Sequence, residues 1–255
     1  MIRTLAFGFV GLLIGSFLTV VIHRVPRREP IGRGRSQCPA CHAVIHARDN
    51  VPVVSWLVLR GRCRSCGARI AAIYPLTELA TAGLFAAASL TIDDLWVAIL
   101  MAAFLAVLLA VSAIDVAHRI IPNRIVYPAV LAAAIATTAI DVAGGPLDAV
   151  HGLIGLIAFG GGLLVISILS PKGMGMGDVK LAALIGVVLG SVALSRVVVA
   201  AFAAVFLGGV GAIVALAMGR GRKSAIPFGP YLAAGGALAV FAGRQIADTY
   251  LRLMT

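Results

Sequence analysis

Charged and aromatic residues are scarce in this chain of 255 residues. Only 12% of the residues are charged and 6% are aromatic, whereas 61% are hydrophobic and the mean hydropathy is +1.05. An ordinary soluble domain is about half apolar and about a quarter charged. Because one globule of this length cannot bury so much apolar surface, the composition excludes a typical soluble protein and indicates a chain that lies mostly in lipid.

Several motifs of common enzymes are also absent. The sequence has no His-Glu-x-x-His and no Gly-x-Ser-x-Gly, which excludes the usual zinc-dependent and serine-dependent hydrolases. It has no Gly-x-Gly-x-x-Gly, so nothing in it indicates a dinucleotide site. The four cysteines all lie within residues 38–66, so no thiol nucleophile exists elsewhere in the chain.

Eight apolar runs alternate with short polar or basic segments. They cover residues 5–22, 73–90, 95–114, 125–140, 150–169, 181–194, 197–218 and 226–242. A membrane-spanning helix needs about 20 apolar residues, and six runs meet or approach this length, while 125–140 and 181–194 are short. The pattern predicts an all-α polytopic membrane protein with about eight transmembrane helices.

The basic residues predict the orientation of these helices. The net charge of +11 would suggest nucleic acid for a soluble protein. Here, with the N-terminus outside, 17 of the 21 Lys and Arg fall in cytoplasmic segments, as the positive-inside rule requires. We therefore expect both termini outside and no nucleic-acid partner. We also expect the first helix to be retained as an anchor, because no Ala-x-Ala cleavage site follows it.

The cysteines form two pairs with metal-binding spacing. Cys38 and Cys41 form one pair and Cys63 and Cys66 the other, with 21 residues between the pairs. In a reducing cytoplasm, such pairs favour a structural zinc site with four thiolate ligands, and redox-active or free thiols are the alternative. Since four cysteines fill the coordination shell, His42 and His46 are interpreted as solvated loop residues. The resulting domains are residues 1–22 (an anchor), 23–72 (a cytoplasmic zinc-binding domain) and 73–255 (a membrane-embedded domain).

Three acidic residues lie near predicted helix ends at the cytoplasmic face: Glu78, Asp115 and Asp178. Carboxyl groups near a bilayer are costly and commonly functional. Two of them brought together share a proton, which is the acid and base pair needed to activate a water. The sequence leaves simpler interpretations open, in which Asp178 is a helix N-cap and Asp115 pairs with Arg119.

Several segments together resemble the prepilin leader peptidases, the bacterial branch of the Gly-x-Gly-Asp membrane aspartyl proteases. These segments are residues 15–26 (GSFLTVVIHRVP), the two cysteine pairs, 74–79 (YPLTEL), Asp115 with 121–123 (IPN), 175–180 (GMGDVK) and 226–230 (IPFGP). They occur in the family's order and cover nearly the whole chain.

The resemblance implies a function and a set of site residues. It makes Asp115 and Asp178 the catalytic pair of a bacterial inner-membrane peptidase, and Cys38, Cys41, Cys63 and Cys66 the zinc ligands. It implies that the substrates are precursors of type IV pilins, or pseudopilins of type II secretion, cut after a Gly at the cytoplasmic face. Many such proteins also N-methylate the new N-terminus with S-adenosylmethionine. Thr19 departs from the Asn of the family's opening signature, so a peptidase without methyltransferase activity is the alternative.

Glu78 is the candidate contributor to the second activity. A carboxylate at the membrane face needs a cation, which a sulfonium or an amine ligand would provide, and a salt bridge to a loop residue such as Arg69 is the alternative. Two other classes compete with the peptidase. A transporter would carry polar groups at the membrane midplane, and an assembly scaffold would not require two aspartates.

Overall fold

A computed structural model describes residues 1–32, 36–170, 174–219 and 227–254 of the chain. Some residues used in the charge, span and motif predictions lie outside this described part: Arg33, Arg35, Lys172, Gly173, Arg220, Arg222, Lys223 and Ile226. The chain forms two compact units, Met1–Thr91 and Ile92–Thr255.

The described residues are almost entirely helical, and their only extended pairings are two isolated bridges in the cysteine segment. The helices are α1 (Ile2–Arg24), α2 (Val54–Val58), α3 (Ile73–Thr91), α4 (Leu95–His118), α5 (Asn123–Val142), α6 (Ala149–Gly155), α7 (Gly162–Leu169), α8 (Met176–Gly190), α9 (Leu194–Ala217) and α10 (Gly229–Met254). A π-helical turn, Leu156–Gly161, joins α6 to α7. The predicted all-α class is confirmed.

Six helical segments are long and apolar enough to cross a membrane: α1, α3, α4, α5, α9, and α6 continued through α7. The other two predicted spans fall on α8, which has 15 residues, and on α10, whose second half is polar. The exposed aromatic residues of α9, Phe202 and Phe206, are typical of a surface in contact with lipid. A multi-pass membrane protein is therefore supported, whereas eight spans stays a prediction.

Small residues allow α1 and α3 to pack closely in the first unit. A Cβ at Gly11 would lie 2.7 Å from the Ala82 Cα, and a Cβ at Gly15 would lie 2.7 Å from the Glu78 Cα. Only glycine permits this approach of two backbones, as in many helix pairs within lipid. The Gly11-x-x-x-Gly15 pattern is therefore a packing motif.

Helix α8 is the core of the second unit. Leu181, Ile185 and Val188 are fully buried, and the helix packs against α5, α6, α10 and the π-helical turn. Gly186 meets the backbone of this turn, since a Cβ there would lie 2.9 Å from the Leu156 Cα. Because neighbouring helices enclose α8, its apolar residues pack against protein on most sides.

The ends of α4 determine where its last turn lies. Asp94 caps the first turn by accepting a hydrogen bond from the Val97 N–H at 2.9 Å. At the other end Arg119 has a left-handed conformation (φ 55°), and its N–H donates to the Asp115 carbonyl at 2.8 Å. Helix α5 begins only four residues later, after Pro122, so Asp115 lies in the last turn of α4 beside a tight reversal of the chain.

Packing at Gly186 provides a direct test of this fold. We expect Gly186→Ala to destabilise the protein by about 1–3 kcal/mol, because the added methyl group overlaps the backbone of the π-helical turn. Thermal unfolding of the purified protein in detergent measures the change. Gly162→Ala is the matched control, since no atom lies within 4 Å of its Cβ position, and we expect it to be neutral or stabilising. Equal stability of the two variants would contradict the close contact.

Candidate functional site

Asp115 is held in a buried position at the junction of α4 and α10. Its side chain is only 5% exposed, and its Oδ2 atom accepts a hydrogen bond from the Gly229 backbone N–H at 3.1 Å. Gly229 is the first residue of α10, so its N–H has no partner within that helix. The carboxylate of Asp115 therefore satisfies a helix end that would otherwise need another acceptor.

Ile121 lies between two glycines at this site. A Cβ at Gly177 would be 2.8 Å from the Ile121 Cβ, and a Cβ at Gly229 would be 3.1 Å from the Ile121 Cδ1. The Gly229 Cβ position is also only 2.6 Å from Oδ2 of Asp115. The start of α8 and the start of α10 therefore both contact the turn between α4 and α5, at distances that only glycine allows.

Asp178 lies in the first turn of α8, on the same side of the unit as Asp115. Its Oδ2 accepts a hydrogen bond from the Gly175 N–H at 3.3 Å, and its carboxylate is close enough to Asp115 for the two charges to interact. The side chain is partly exposed, whereas Asp115 is buried. The structure thus brings together the two aspartates that were predicted as a pair.

The simpler interpretations of both residues do not describe this geometry. The N-cap of α8 is Gly175, and Asp178 is the third helical residue, which reaches back to the cap. The Arg119 N–H contacts the Asp115 carbonyl, and no ion pair joins the two side chains among the described residues.

Two polar residues that received no role from the sequence also join these helices. The Lys180 ammonium donates to the Asn123 side-chain oxygen at 2.9 Å and lies 4.9 Å from the centre of the Tyr127 ring. Asn123 begins α5, so this contact ties α5 to the first turn of α8 next to Asp178. Both residues lie in motifs that carried the family resemblance, which was the available signal for them.

The four cysteines form a compact cluster in the first unit. Their sulfur atoms all lie within 4.8 Å of one another, and the sulfurs of Cys38 and Cys66 are 3.9 Å apart. A tetrahedral zinc with Zn–S bonds of about 2.3 Å has ligand sulfurs about 3.8 Å apart. The donors are also soft thiol groups, so their type and spacing suit a metal ion, whereas a disulfide requires about 2.05 Å.

The two cysteine pairs have the same backbone geometry. The Cys38 N–H donates to the Ala43 carbonyl at 3.0 Å, and the Cys63 N–H donates to the Ala68 carbonyl at 2.8 Å. In each pair the residue after the second cysteine, His42 or Gly67, has positive φ and donates back to the first cysteine. We call these turns the first and second knuckles (residues 37–44 and 62–69).

Electrostatics of the cluster also favour a bound cation. Backbone N–H groups of Cys41 and Ala40 lower the pKa of the Cys38 thiol to about 7. The Ala68 N–H lowers the pKa of Cys66, but the neighbouring Cys41 thiol, burial and the other cysteines together raise it to about 11. Four thiolates this close cannot all stay ionised without a positive charge between them. Neither histidine belongs to the cluster, in agreement with their interpretation as loop residues.

Glu78 is buried, but it does not pair with Arg69. Its side chain is 8% exposed, and its Oε2 accepts a hydrogen bond from the Val53 backbone N–H at 2.7 Å. Among the described residues no Lys or Arg forms an ion pair with it. The salt bridge offered as the alternative is therefore not formed.

Asp49, in the segment between the knuckles, forms a structural contact with the second knuckle. The Arg64 guanidinium donates to both of its carboxylate oxygens, at 2.6 to 3.1 Å. This hydrogen bonding lowers the pKa of Asp49. The Arg64–Asp49 ion pair therefore joins the segment between the knuckles to the second knuckle.

The helices and the paired aspartates define a membrane protein with two carboxyl groups at adjoining helix ends. A family model for the Bacterial Peptidase A24 N-terminal domain matches residues 9–92, and the Type IV leader peptidase family model matches residues 102–213. The chain belongs to the type IV leader peptidase family.

Curated relatives match this chain along almost all of its length. A prepilin leader peptidase/N-methyltransferase of Bacillus subtilis (strain 168) is 35% identical over 251 residues, which is 95% of this chain and 96% of the relative. Proteins with the same name from Stutzerimonas stutzeri and Aeromonas hydrophila are 35% and 36% identical, over 95% and 94% of this chain and 92% and 91% of their own lengths. No solved structure matches the chain significantly.

The cysteine cluster leads to a prediction about metal content. We expect about one zinc ion per chain after mild purification, because the four sulfurs form one closed tetrahedral site. Cys63→Ser should lose the metal and leave residues 36–72 sensitive to protease, whereas His46→Ala should keep it. Elemental analysis and limited proteolysis measure both effects. A zinc-free protein with a protease-resistant loop would rule out a structural metal.

Proposed function

We propose that this chain is a membrane aspartyl endopeptidase that removes the leader peptides of type IV prepilins or pseudopilins, cutting after a Gly. The observation that carries the proposal is the approach of Asp115 and Asp178 at adjoining helix ends. It occurs in a chain about 35% identical to named prepilin leader peptidases along nearly its full length.

The chemistry follows from two carboxyl groups that share a proton. The ionised carboxylate takes a proton from a water molecule as that water attacks the carbonyl carbon of the scissile bond. The protonated carboxyl supplies a proton to the amide nitrogen when the carbon–nitrogen bond breaks, so no covalent intermediate with the enzyme forms. The Gly229 N–H orients the Asp115 carboxylate for this reaction.

Access for the substrate is provided by the glycines before Asp178. Gly175 is exposed and Gly177 is partly exposed, and neither carries a side chain that would block an extended peptide. Asp178 itself is partly exposed, whereas Asp115 is buried. A peptide strand would therefore reach the pair from the side of α8.

The proposed location is the bacterial inner membrane, with eight spans and both aspartates at the cytoplasmic face. The distribution of basic residues supports it, since 17 of 21 fall on the predicted cytoplasmic side. The scissile bond of a prepilin would lie at that face, between a basic leader and an apolar helix. The zinc-binding segment, residues 23–72, would then lie in the reducing cytoplasm, where thiolates persist.

A bound zinc would have a structural role. Cys38, Cys41, Cys63 and Cys66 would hold it, and no open coordination position would remain for a substrate. The metal would supply folding free energy to a segment with few buried apolar residues.

A second activity, N-methylation of the new N-terminus, is proposed because the relatives' names include it. S-adenosylmethionine would be the donor, and it would supply the methyl group. The first unit contains a cavity of about 740 Å³, which is large enough for such a ligand. Thr19 lines this cavity and donates its hydroxyl hydrogen to the Ser16 carbonyl at 2.7 Å, so a polar group stands where the family's signature has Asn.

Replacement of the aspartates tests the peptidase directly. We expect Asp115→Asn and Asp178→Asn each to abolish cleavage of a purified prepilin, a loss of at least about 10²–10⁴-fold, because an amide cannot exchange the catalytic proton. Asp248→Asn is the matched control, since Asp248 is exposed and pairs only with Arg244 at 3.7 Å, and it should cleave normally. Unimpaired cleavage by either active-site variant would rule out the pair as the catalytic residues. Absence of cleavage by the wild-type protein would instead favour a transporter or a scaffold.

A backbone contact of Asp115 allows a second test. We expect Gly229→Ala to reduce kcat by about 10²-fold with little change in KM, because its Cβ would displace the Asp115 carboxylate without touching a bound substrate. Gly209→Ala, whose Cβ position has no atom within 4 Å, should leave both constants unchanged. Steady-state kinetics on the same prepilin distinguish the outcomes, and a normal kcat for Gly229→Ala would contradict the orienting role of this residue.

A further inference from the structure

The cavity of the first unit lies between the knuckles and the neighbouring ends of α1 and α3. Its volume is about 740 Å³, within the range of about 300–1,000 Å³ typical of small-molecule sites. Thr19 of α1, Trp56 of α2, and Tyr74 and Glu78 of α3 are among its lining residues. It is therefore a cavity lined by polar, charged and aromatic groups, the arginines among them being Arg24, Arg48, Arg64 and Arg69.

Glu78 is the buried charged group of this wall. More than nine-tenths of its side chain is buried, and its one hydrogen bond among the described residues is the 2.7 Å contact from the Val53 N–H to Oε2. No buried side-chain oxygen in the described part lacks a partner, so Oε1 is not sealed within the protein and borders the cavity. A buried carboxylate is stabilised by a positively charged partner, and although Arg24 and Arg69 line the same cavity, no described Lys or Arg forms an ion pair with Glu78.

Val53 gives an independent reason to regard this wall as functional. Its φ is 61° and its ψ is −50°, the conformation of a γ-turn with positive φ, which is rare and strained for a β-branched residue. Such strain persists where surrounding contacts impose it, commonly at ligand sites. Here the strained backbone directs the Val53 N–H to Oε2 of Glu78, which fixes the carboxylate in one orientation at the edge of the cavity.

The geometry points to a binding site in this cavity for a positively charged organic group, with Glu78 as its counter-ion. The aromatic rings of Trp56 and Tyr74 line the same cavity, and such rings also attract cations. This inference rests on the proposed second activity and deepens it. The sulfonium of S-adenosylmethionine and the α-ammonium of a newly cleaved substrate have the required charge, and the experiment distinguishes them.

The first measurement compares a charged ligand with its neutral analogue. S-adenosylmethionine has a sulfonium, whereas S-adenosylhomocysteine has a neutral sulfur in nearly the same molecule. We expect the wild-type protein to prefer the sulfonium in calorimetry, and Glu78→Gln to reduce that preference about tenfold or more, because the neutral amide lacks the charge that attracts the sulfonium. Glutamine can still accept the Val53 hydrogen bond. Thr77→Val, which alters a buried neighbour bonded only to the Ile73 carbonyl, should keep the preference.

The second measurement tests the amine as the partner. A peptide with the N-terminal sequence of a mature pilin is compared with its N-acetylated form. If Glu78→Gln binds the free and the N-acetylated peptide equally well but keeps its preference for the sulfonium, the Glu78 carboxylate binds the substrate amine. If Glu78→Gln binds both nucleosides and both peptides as the wild type does, the proposal is overturned.

A third measurement uses only the wild-type chain, so its result does not depend on whether the Glu78→Gln variant folds correctly. Carbodiimide modification of Glu78, followed by mass spectrometry, should be slowed severalfold by the bound cationic ligand and less by its neutral counterpart. Equal modification with and without both charged ligands would also overturn the proposal. Prepilin cleavage by the same wild-type preparation reports separately on the peptidase, so failure of one proposal is not mistaken for failure of the other.

Discussion

The hydrogen bond from the Gly229 N–H to the Asp115 carboxylate joins the end of α4 to the start of α10. A buried carboxylate is costly unless hydrogen bonds compensate for the lost water, and a helix N-terminus provides unpaired donors for that purpose. The contact requires a residue without a side chain at position 229. It also brings α10 against Ile121, whose other side meets Gly177 and thereby locates the start of α8. The placement of Asp178 beside Asp115 depends on this sequence of contacts.

Much of this arrangement was predictable from the sequence. Apolar runs bounded by basic segments predicted the helices. Asp115 and Asp178 were distinguished from the other acidic residues because both lie at helix ends next to Gly- or Pro-containing turns. The approach of the two carboxyl groups was a hypothesis, since 62 residues separate them in the chain and local patterns contain no information about such contacts.

The remaining features depend on backbone geometry that residue types do not reveal. The sequence indicated that Glu78 needs a partner, but its observed partner is a peptide N–H directed by the positive-φ conformation of Val53. No composition rule predicts such a conformation for a valine. The role of Gly229 was missed for a similar reason, because its motif was visible but its contact is with a residue 114 positions away. The contact between Asp49 and Arg64 joins residues 15 positions apart, which local patterns also do not predict.

The two knuckles share one hydrogen-bond pattern but differ at the residue with positive φ. Gly67 adopts this conformation freely, whereas His42 does so at a cost on the order of 1 kcal/mol. Before any metal is bound, the second knuckle is therefore populated more often in its folded form. An incoming ion would be captured first by Cys63 and Cys66, and the first knuckle would then close around it. With a metal bound, the difference between one glycine and one histidine would thus favour an order of assembly, in which the C-terminal half of the loop folds before its N-terminal half.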